Sequence, residues 1–418
     1  MTVEAIDFTY PSSANPDELR LLDPIAITQI SLHFALIKVP RAAAPAYAAV
    51  SYTWGDDEPS EFIYLDNQRF SVRPNLWSCL HYLGRDALRS RTKLWVDAIC
   101  INQNDMVERN SQVRRMDETY SRAAHVSVWL GLPKIPTPHH LQTTDFPLWF
   151  WDDNLPDLAN RPYWSRVWVI QEFLLGGSIR LHCGDAQIEA HDFQEMLCHA
   201  AGVPQYNTSF SIPAHPAAAA FRALPLVTER HVDKHPELLQ SLHDLLVAHR
   251  AAECKDPRDK IFGLLGLVTR EERVLLQRFF PDYEMEVDHV RVIALAHVLQ
   301  CNGLGGEAEV DERSDGVFEG LGIGEVTVKE RRRYLARAGV RGFDYGDDWG
   351  VGEASRALKL LDDEGWWGVG GEDGEWDQTG RVRRGWGRFW LVVGFVLVVA
   401  AVVSAGWWYG FLELPVFM

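Results

Sequence analysis

Residues 94–131 restrict the fold of this chain more than any other stretch. The apolar run at 94–101 has the composition of a buried strand. Asp105 and Glu108 then have the spacing of a helix N-cap and its return partner. Apolar residues follow at helical spacing, and a second apolar run occupies 126–130. The pattern predicts a strand–helix–strand unit of about one βαβ crossover, and so an α/β fold with a parallel sheet and flanking helices.

Polar side chains crowd the turn where the first strand of this unit is expected to end. In open α/β sheets, ligands bind at the edge formed by the carboxyl ends of the strands. We therefore take Asn102, Gln103 and Arg109 as candidate ligand-binding residues at that edge.

Asp97 is an acidic residue inside the first apolar run. A carboxylate within such a strand is costly unless it has a partner. Asp97 either binds a ligand at the sheet edge or accepts backbone N–H bonds from the turn at 51–55, and we favour the second role. Trp54, in that same turn, is either a core aromatic residue or a wall on which a ligand stacks.

The surrounding chain predicts further elements of the same fold class. Alternation marks strands, helical spacing marks helices, and Asp-Asn or Gly-Gly pairs mark the turns between them. The expected elements are strands at 28–39 and 47–53, a hairpin at 63–72 about an Asp66–Asn67 turn, a helix capped by Asn75, a helix at 161–175, a hairpin at 179–188 and mainly helices over 191–300.

Composition excludes some functional classes. The net charge of −17 argues against a nucleic-acid partner, because such proteins present a basic face. The six cysteines are far apart and form no CxxC pair. This spacing predicts reduced thiols and no metal site.

The last quarter of the chain differs from the rest. Residues 302–388 are rich in glycine and acidic residues, with 18 glycines between 303 and 380, so we expect a mostly disordered tether there. Residues 389–409 carry no charge over 21 positions, enough to span about 30 Å of hydrocarbon as a helix. Four arginines at 381–388 precede this run. The positive-inside rule therefore predicts a single-pass C-terminal membrane anchor with the N-terminal bulk in the cytosol.

Three ordered blocks of the chain resemble a known family. YAAVSYTWGD at 47–56, WVDAICINQ at 95–103 and RPYWSRVWVIQE at 161–172 are similar in order and spacing to the fungal heterokaryon-incompatibility (HET) domain. The resemblance implies an N-terminal tail at 1–18, a HET domain at 19–190 with its motif core at 47–175, and a helical extension at 191–300. It also implies a role in fungal non-self recognition, in which the domain triggers programmed cell death when incompatible strains fuse.

The third block adds a catalytic hypothesis. Trp168 and Glu172 lie four residues apart on the expected helix, a spacing that resembles the helix of TIR domains, whose glutamate carries NAD+ glycohydrolase activity. That resemblance implies a TIR-like, flavodoxin-like sheet, with NAD+ as substrate and no resident cofactor. Glu172 would be the catalytic carboxylate, Trp54 or Trp168 a stacking wall, and Asn102 and Arg109 polar contacts.

Two alternatives to this hypothesis stay open. Glu172 is equally compatible with a structural ion pair to Arg161 or Arg166, because sequence pattern does not separate structural from catalytic carboxylates. The domain as a whole is also compatible with a non-enzymatic signalling module that self-associates or recruits another incompatibility protein.

Overall fold

The computed structural model describes residues 7–12, 14–55, 57–135, 148–202, 221–229, 239–301 and 316–323. The predicted anchor at 389–409 lies outside these residues, and so does the predicted tether except for 316–323. Those eight residues differ from a disordered tether, because Val317, Phe318 and Leu321 are buried in the core. Within the described part of the chain, no helix is both long and apolar enough to cross a bilayer.

A single nine-stranded sheet forms the centre of the molecule, in the order β5-β4-β2-β1-β6-β3-β7-β8-β9. Its strands are β1 Glu18–Ile27, β2 Leu32–Pro40, β3 Tyr47–Tyr52, β4 Glu61–Leu65, β5 Gln68–Val72, β6 Lys93–Trp95, β7 His125–Trp129, β8 Ile179–Cys183 and β9 Ala186–Glu189.

The sheet is mixed, which corrects the expectation of a parallel one. The neighbouring strands β6, β3, β7 and β8 are parallel, as are β2 and β4. The hairpins β1–β2, β4–β5 and β8–β9 are antiparallel, and β1 runs antiparallel to β6. The β6–β7 crossover passes over β3, so the βαβ unit predicted from the sequence lies in the parallel inner part of the sheet.

Twelve helices in the described residues surround the sheet and build the extension beyond it. They are α1 Pro74–Ser90, α2 Asp97–Cys100, α3 Met106–Val113, α4 Met116–Ser121, α5 Leu148–Leu158, α6 Val167–Leu175, α7 Ala190–Ala201, α8 Leu224–Glu229, α9 Leu242–Ala248, α10 Asp259–Phe262, α11 Arg270–Leu276 and α12 Val287–Cys301. A further helical turn occupies 316–320.

The apolar run at 94–101 is not one strand. β6 ends at Trp95, and the chain turns at Val96 into the short helix α2. Both halves of the run are buried, and a short buried strand and a short buried helix have the same apolar signature. Asp97 therefore begins a helix and does not lie within a strand.

The predicted hairpin at 63–72 is confirmed as β4–β5. Asp66 and Asn67 have φ angles of 50° and 64°, the left-handed pair that a two-residue hairpin turn requires. Asn75 does not cap α1. Its side chain donates 2.6 Å to the carbonyl of Thr53 and accepts 3.0 Å from the indole of Trp129, so it joins the ends of β3 and β7.

Helix α6 is the central helix of the fold, since every residue in it except Trp168 is buried. The predicted helix at 161–175 begins as a 3-10 turn over Pro162–Ser165, and α6 starts only at Val167. The extension contacts the start and the middle of α6. The Val167 N–H donates 2.9 Å to the carbonyl of Glu253, and the Gln171 side chain accepts 2.8 Å from the N–H of Gly266.

Candidate functional site

The structure divides the predicted site residues between two polar clusters. We call the first the carboxyl-edge cluster, because it forms where β3 and β6 end, and the second the Tyr283 cluster. The carboxyl-edge cluster comprises Ser51, Tyr52, Trp54, Asp97, Gln103, Tyr120, Tyr163, Arg166 and Glu172. The Tyr283 cluster comprises Arg109, Trp168, Asp256, Arg258, Asp259 and Tyr283.

Glu172 is the innermost member of the carboxyl-edge cluster. It lies in the second turn of α6, and only 4% of its surface is exposed. The Ser51 hydroxyl, at the end of β3, donates to Glu172 Oε2, and the Tyr163 hydroxyl donates 2.7 Å to Ser51 Oγ. Tyr120 of α4 also hydrogen-bonds the carboxyl. The carboxyl thus has polar partners from a strand and from another helix.

Burial raises the pKa of Glu172 to about 7. The positive charge of Arg166 and the hydrogen bonds from Ser51 and Tyr120 oppose this shift, whereas the negative charge of Asp97 adds to it. A carboxyl whose pKa is raised towards neutrality can both give and take a proton, which is what general acid–base chemistry requires.

Asp97 lies directly after β6 and is half-buried. It accepts 3.0 Å from the indole of Trp54 and 2.7 Å from the N–H of Ala98, while Gln103 donates 3.0 Å to its carbonyl. The expected partner turn is thus correct, but the donor is a side chain and not the backbone of that turn. Burial raises the pKa of Asp97, whereas the charge of Arg166 and the hydrogen bonds from Ala98, Trp54 and Tyr52 lower it.

Arg166 is the positive charge that acts on both carboxyls of this cluster. Arg166 is the residue immediately before α6, and its guanidinium donates a hydrogen bond to the carbonyl of Tyr52. The same charge lowers the pKa of both Asp97 and Glu172. The expected direct ion pair of Glu172 with Arg161 or Arg166 does not form in the described residues, where Arg161 pairs with Asp157 at 2.7 Å.

Asn102 shapes the turn after α2. Its backbone N–H donates 2.8 Å to Glu108 Oε1, and its side chain accepts 3.2 Å from the N–H of Asn104. The structure therefore gives Asn102 a local structural role and no contact with Glu172.

Arg109 and Trp168 contact the Tyr283 cluster instead of Glu172. The Arg109 guanidinium lies 3.6 Å from the centre of the Tyr283 ring, and Trp168 hydrogen-bonds Asp259. The Tyr283 hydroxyl also donates 2.7 Å to Asp259. Burial raises the pKa of Asp259, and these two hydrogen bonds oppose the shift. Trp168 and Glu172 are thus one helical turn apart and bind different partners.

Ser51, Tyr120 and Tyr163 belong to the carboxyl-edge cluster but are not among the site residues predicted from the sequence. Ser51 and Tyr163 lie inside two of the three family-like blocks, and that position is the sequence signal that marks them. Tyr120 lies within 94–131 as one of the apolar positions of a predicted helix face, and nothing in that spacing marks its hydroxyl. In the described residues, no group of three or more histidine, cysteine or acidic side chains has the geometry of a metal site.

Comparison with known proteins gives consistent matches. Residues 47–172 match the family model described as "Heterokaryon incompatibility protein (HET)". The chain is 27% identical over 357 residues to heterokaryon incompatibility protein 6, OR allele, of Neurospora crassa, covering 66% of this chain and 51% of that protein. It is 26% identical over 170 residues to vegetative incompatibility protein HET-E-1 of Podospora anserina, covering 40% of this chain and 12% of that protein.

The chain thus spans about half the length of the first relative and a smaller part of the second. No solved structure matches it. The matched region runs from the start of β3 to Glu172 and contains every residue of the carboxyl-edge cluster. On these matches, residues 47–172 are a region of the heterokaryon incompatibility (HET) type, and two-thirds of the chain is similar to a heterokaryon incompatibility protein.

Proposed function

We propose that this protein acts in fungal heterokaryon incompatibility, as an effector of non-self recognition that leads to programmed cell death. The match over residues 47–172 carries the proposal, and both relatives are named as incompatibility proteins. The test is inducible expression of the full chain in a filamentous fungus, with protein abundance measured. Growth arrest and loss of membrane integrity are expected. Normal growth at high abundance would contradict the proposal.

For the mechanism we propose that the domain is a TIR-like NAD+ glycohydrolase. The four inner parallel strands support a flavodoxin-like arrangement. Numbered along the chain, β3 is the first of these strands, β6 the second, β7 the third and β8 the fourth. Across the sheet they lie in the order β6-β3-β7-β8, which is second, first, third, fourth. That is the flavodoxin-like order, in which ligands bind where the strand order reverses, at the carboxyl ends. Ser51 and Asp97 lie at those ends.

The pKa of Glu172 is the observation that favours catalysis, because carboxyls with a pKa near 7 are concentrated at functional sites. In the reaction, the bond between the ribose C1′ and the nicotinamide nitrogen breaks, and both of its electrons leave with nicotinamide. The ionised Glu172 carboxylate stabilises the oxocarbenium-like positive charge on the ribose and accepts hydrogen bonds from the ribose hydroxyls. Water then adds at C1′ and loses a proton, giving ADP-ribose.

Substrate access is the requirement that this mechanism places on the structure. Glu172 is nearly closed off, whereas Trp54, Asp97 and Arg166 are half-buried and form the outer side of the cluster. NAD+ reaches Glu172 only if the turn that carries Trp54 moves away from Asp97. Self-association of the domain would supply the energy for this movement.

A non-enzymatic signalling module is the second candidate. The hydrogen bonds from Ser51 and Tyr120 satisfy the Glu172 carboxyl inside the core, which is what a purely structural residue requires. In this case the domain would act by self-association, or by recruiting another incompatibility protein, and Glu172 would only join α6 to the sheet.

Nicotinamide release from purified full-length protein separates the two candidates. The assay uses detergent, high protein concentration and a crowding agent that favours self-association. Glu172→Gln removes the charge and keeps most of the shape. Glu195→Gln is the matched control, since that glutamate is exposed on α7. Release that is lost only in Glu172→Gln supports the enzyme. No release from folded, self-associated protein would exclude it and favour the signalling module.

We also propose that residues 389–409 anchor the chain in a membrane and leave its N-terminal bulk in the cytosol. The 21 uncharged residues and the preceding arginines support this proposal. The test is alkaline extraction of fungal membranes that contain either the full chain or a version ending at residue 388. The full chain should stay in the membrane pellet. Equal extraction of the two versions would contradict the proposal.

A further inference from the structure

A second candidate site lies at the other end of β3 from Ser51. It is a cavity of about 230 Å³, lined by Arg41, Tyr47, Glu118, Arg122 and small apolar residues of 42–46. Tyr47 begins β3, and Arg41 follows β2 directly. The cavity therefore belongs to the amino edge of the parallel strands and shares no residue with the carboxyl-edge cluster.

Arg41 brings a buried positive charge to this cavity. Only 7% of its surface is exposed. Its guanidinium donates 2.9 Å to the carbonyl of Pro16 and 2.8 Å to the hydroxyl of Thr119, and it also donates to the side-chain oxygen of Gln112. All three acceptors are neutral, so no carboxylate forms an ion pair with Arg41 in the described residues. A buried charge without a counter-ion is costly, which makes a cavity beside it a favourable place for an anion.

Arg122 adds a second positive charge at the surface of the cavity. It is exposed, and its backbone N–H donates 3.0 Å to the carbonyl of Glu118, whereas its side chain forms no hydrogen bond or ion pair within the described part of the chain. Glu118 is the one acidic residue of the lining, and its Oε2 is already held by Arg115 at 2.8 Å and 3.2 Å. The lining therefore has an excess of positive charge, although the whole chain carries −17.

The rest of the lining is aliphatic. Ala42, Ala44, Pro45 and Ala46 form one wall, and none of them has a side-chain group that can donate or accept a hydrogen bond. The volume is below the roughly 300–1,000 Å³ of pockets that hold drug-sized ligands. A ligand that fits has few heavy atoms, one anionic end and a short hydrocarbon body.

We propose that this cavity binds a small aliphatic carboxylic acid, with its carboxylate between Arg41 and Arg122 and its hydrocarbon body against residues 42–46. The planar guanidinium group matches a carboxylate in both shape and charge. Arg41 has five N–H donors and uses three of them within the protein, which leaves two for the ligand.

Calorimetric titration of the full chain in detergent tests this site, with butyrate as the probe and butyramide as its neutral counterpart. Butyrate should bind with a Kd on the order of 1 mM, as expected for so small a ligand, and butyramide should not bind measurably. Arg122→Gln should weaken butyrate binding at least about fivefold, because it removes one of two charges. Arg114→Gln is the matched control, since Arg114 is exposed, lies outside the lining and forms no ion pair within the described residues.

Several results would overturn the proposal. Equal affinities for butyrate and butyramide would show that charge is not recognised, and equal affinities of the two arginine variants would show that Arg122 does not contact the ligand. Tighter binding of inorganic phosphate than of butyrate would exclude an aliphatic carboxylate as the preferred ligand. Both variants change exposed side chains, and thermal unfolding of each confirms that it is folded. None of these readouts depends on NAD+ cleavage or on Glu172.

Discussion

The Ser51 hydroxyl donates a hydrogen bond to the Glu172 carboxyl and so joins the carboxyl end of β3 to the second turn of α6. Two of the family-like sequence blocks meet at this contact, although the residues are 121 positions apart. The packing of α6 on β3 therefore places a carboxyl with a pKa of about 7 at the centre of this fold.

Glu172 makes stability depend on pH. Its pKa rises on folding from an ordinary 4.5 to about 7, so between these values the folded state binds more protons than the unfolded state. The free energy of unfolding therefore falls as pH rises through this window, by about 3 kcal/mol in total, and the stabilisation is lost above pH 7. Urea unfolding at pH 5 and pH 8 measures the effect. Glu172→Gln should lose this part of the pH dependence.

Asp97 contributes to the same comparison. Its pKa is also raised, which gives a pH dependence of the same sign. Because the charges of Asp97 and Glu172 act on each other, the difference between wild type and Glu172→Gln measures Glu172 together with its effect on Asp97. Parallel pH dependence of the two proteins would show that the carboxyl is not protonated near neutrality.

Glu108 is expected to be far more important for stability than a surface acid. Its N–H donates to the N-cap Asp105, as the sequence predicts, but its carboxylate does not return to that residue. It forms a buried ion pair with Arg20 and accepts 2.9 Å from the N–H of Ala14. Glu108→Gln leaves Arg20 buried without a counter-charge, so we expect a loss of about 3 kcal/mol in urea unfolding.

Asp185→Asn is the control for Glu108→Gln. Asp185 pairs with Arg85 at the surface, where 60% of its side chain is exposed. Such pairs contribute about 0–1 kcal/mol. Similar losses for the two variants would mean that the buried pair is no stronger than the surface one.

Gly266 tests how tightly the extension holds α6. A Cβ at this position would lie 2.4 Å from Gln171 Oε1 and 2.9 Å from the Cβ of Asp117. Gly266→Ala should therefore destabilise the protein by about 1–3 kcal/mol, as overpacking does in other cores. Gly177→Ala is the control, because a Cβ there meets nothing within 4 Å. If thermal unfolding shifts equally in both variants, the extension does not pack closely on α6.

Glycine substitutions of two arginines at the end of α1 should change the free energy of unfolding in opposite directions. Arg91 caps the helix with a φ of 57°, where a side chain is strained, so Arg91→Gly should raise the free energy of unfolding by about 0.5–1 kcal/mol. Arg89 lies inside the last turn, and Arg89→Gly should lower it by up to about 1 kcal/mol. Chemical unfolding of the two variants measures both effects, and changes of the same sign would contradict the strain at Arg91.

Local patterns predicted much of the fold. The hairpin turn at Asp66–Asn67, the buried face of α1 and the helical start at Asp105 each depend on residues within a few positions of one another. Backbone preferences and apolar spacing act over this range, so sequence alone is sufficient there. The choice of Glu172 as a candidate catalytic residue rests instead on its spacing from Trp168 and the resemblance of that helix to the helix of TIR domains.

The tertiary structure alone decided which distant groups meet. The sequence predicts that Trp168 and Arg109 share a site with Glu172. In the structure both contact the extension instead, where Arg109 lies over the ring of Tyr283 and Trp168 hydrogen-bonds Asp259. The tertiary structure also made the sheet mixed, because β1 inserts between β2 and β6. Strand order and helix packing depend on the free energy of the whole core, which no local window of sequence contains. The sequence by itself determined the fold class and the position of Glu172, and the packing of β3, α4 and α6 determined the partners of that carboxyl.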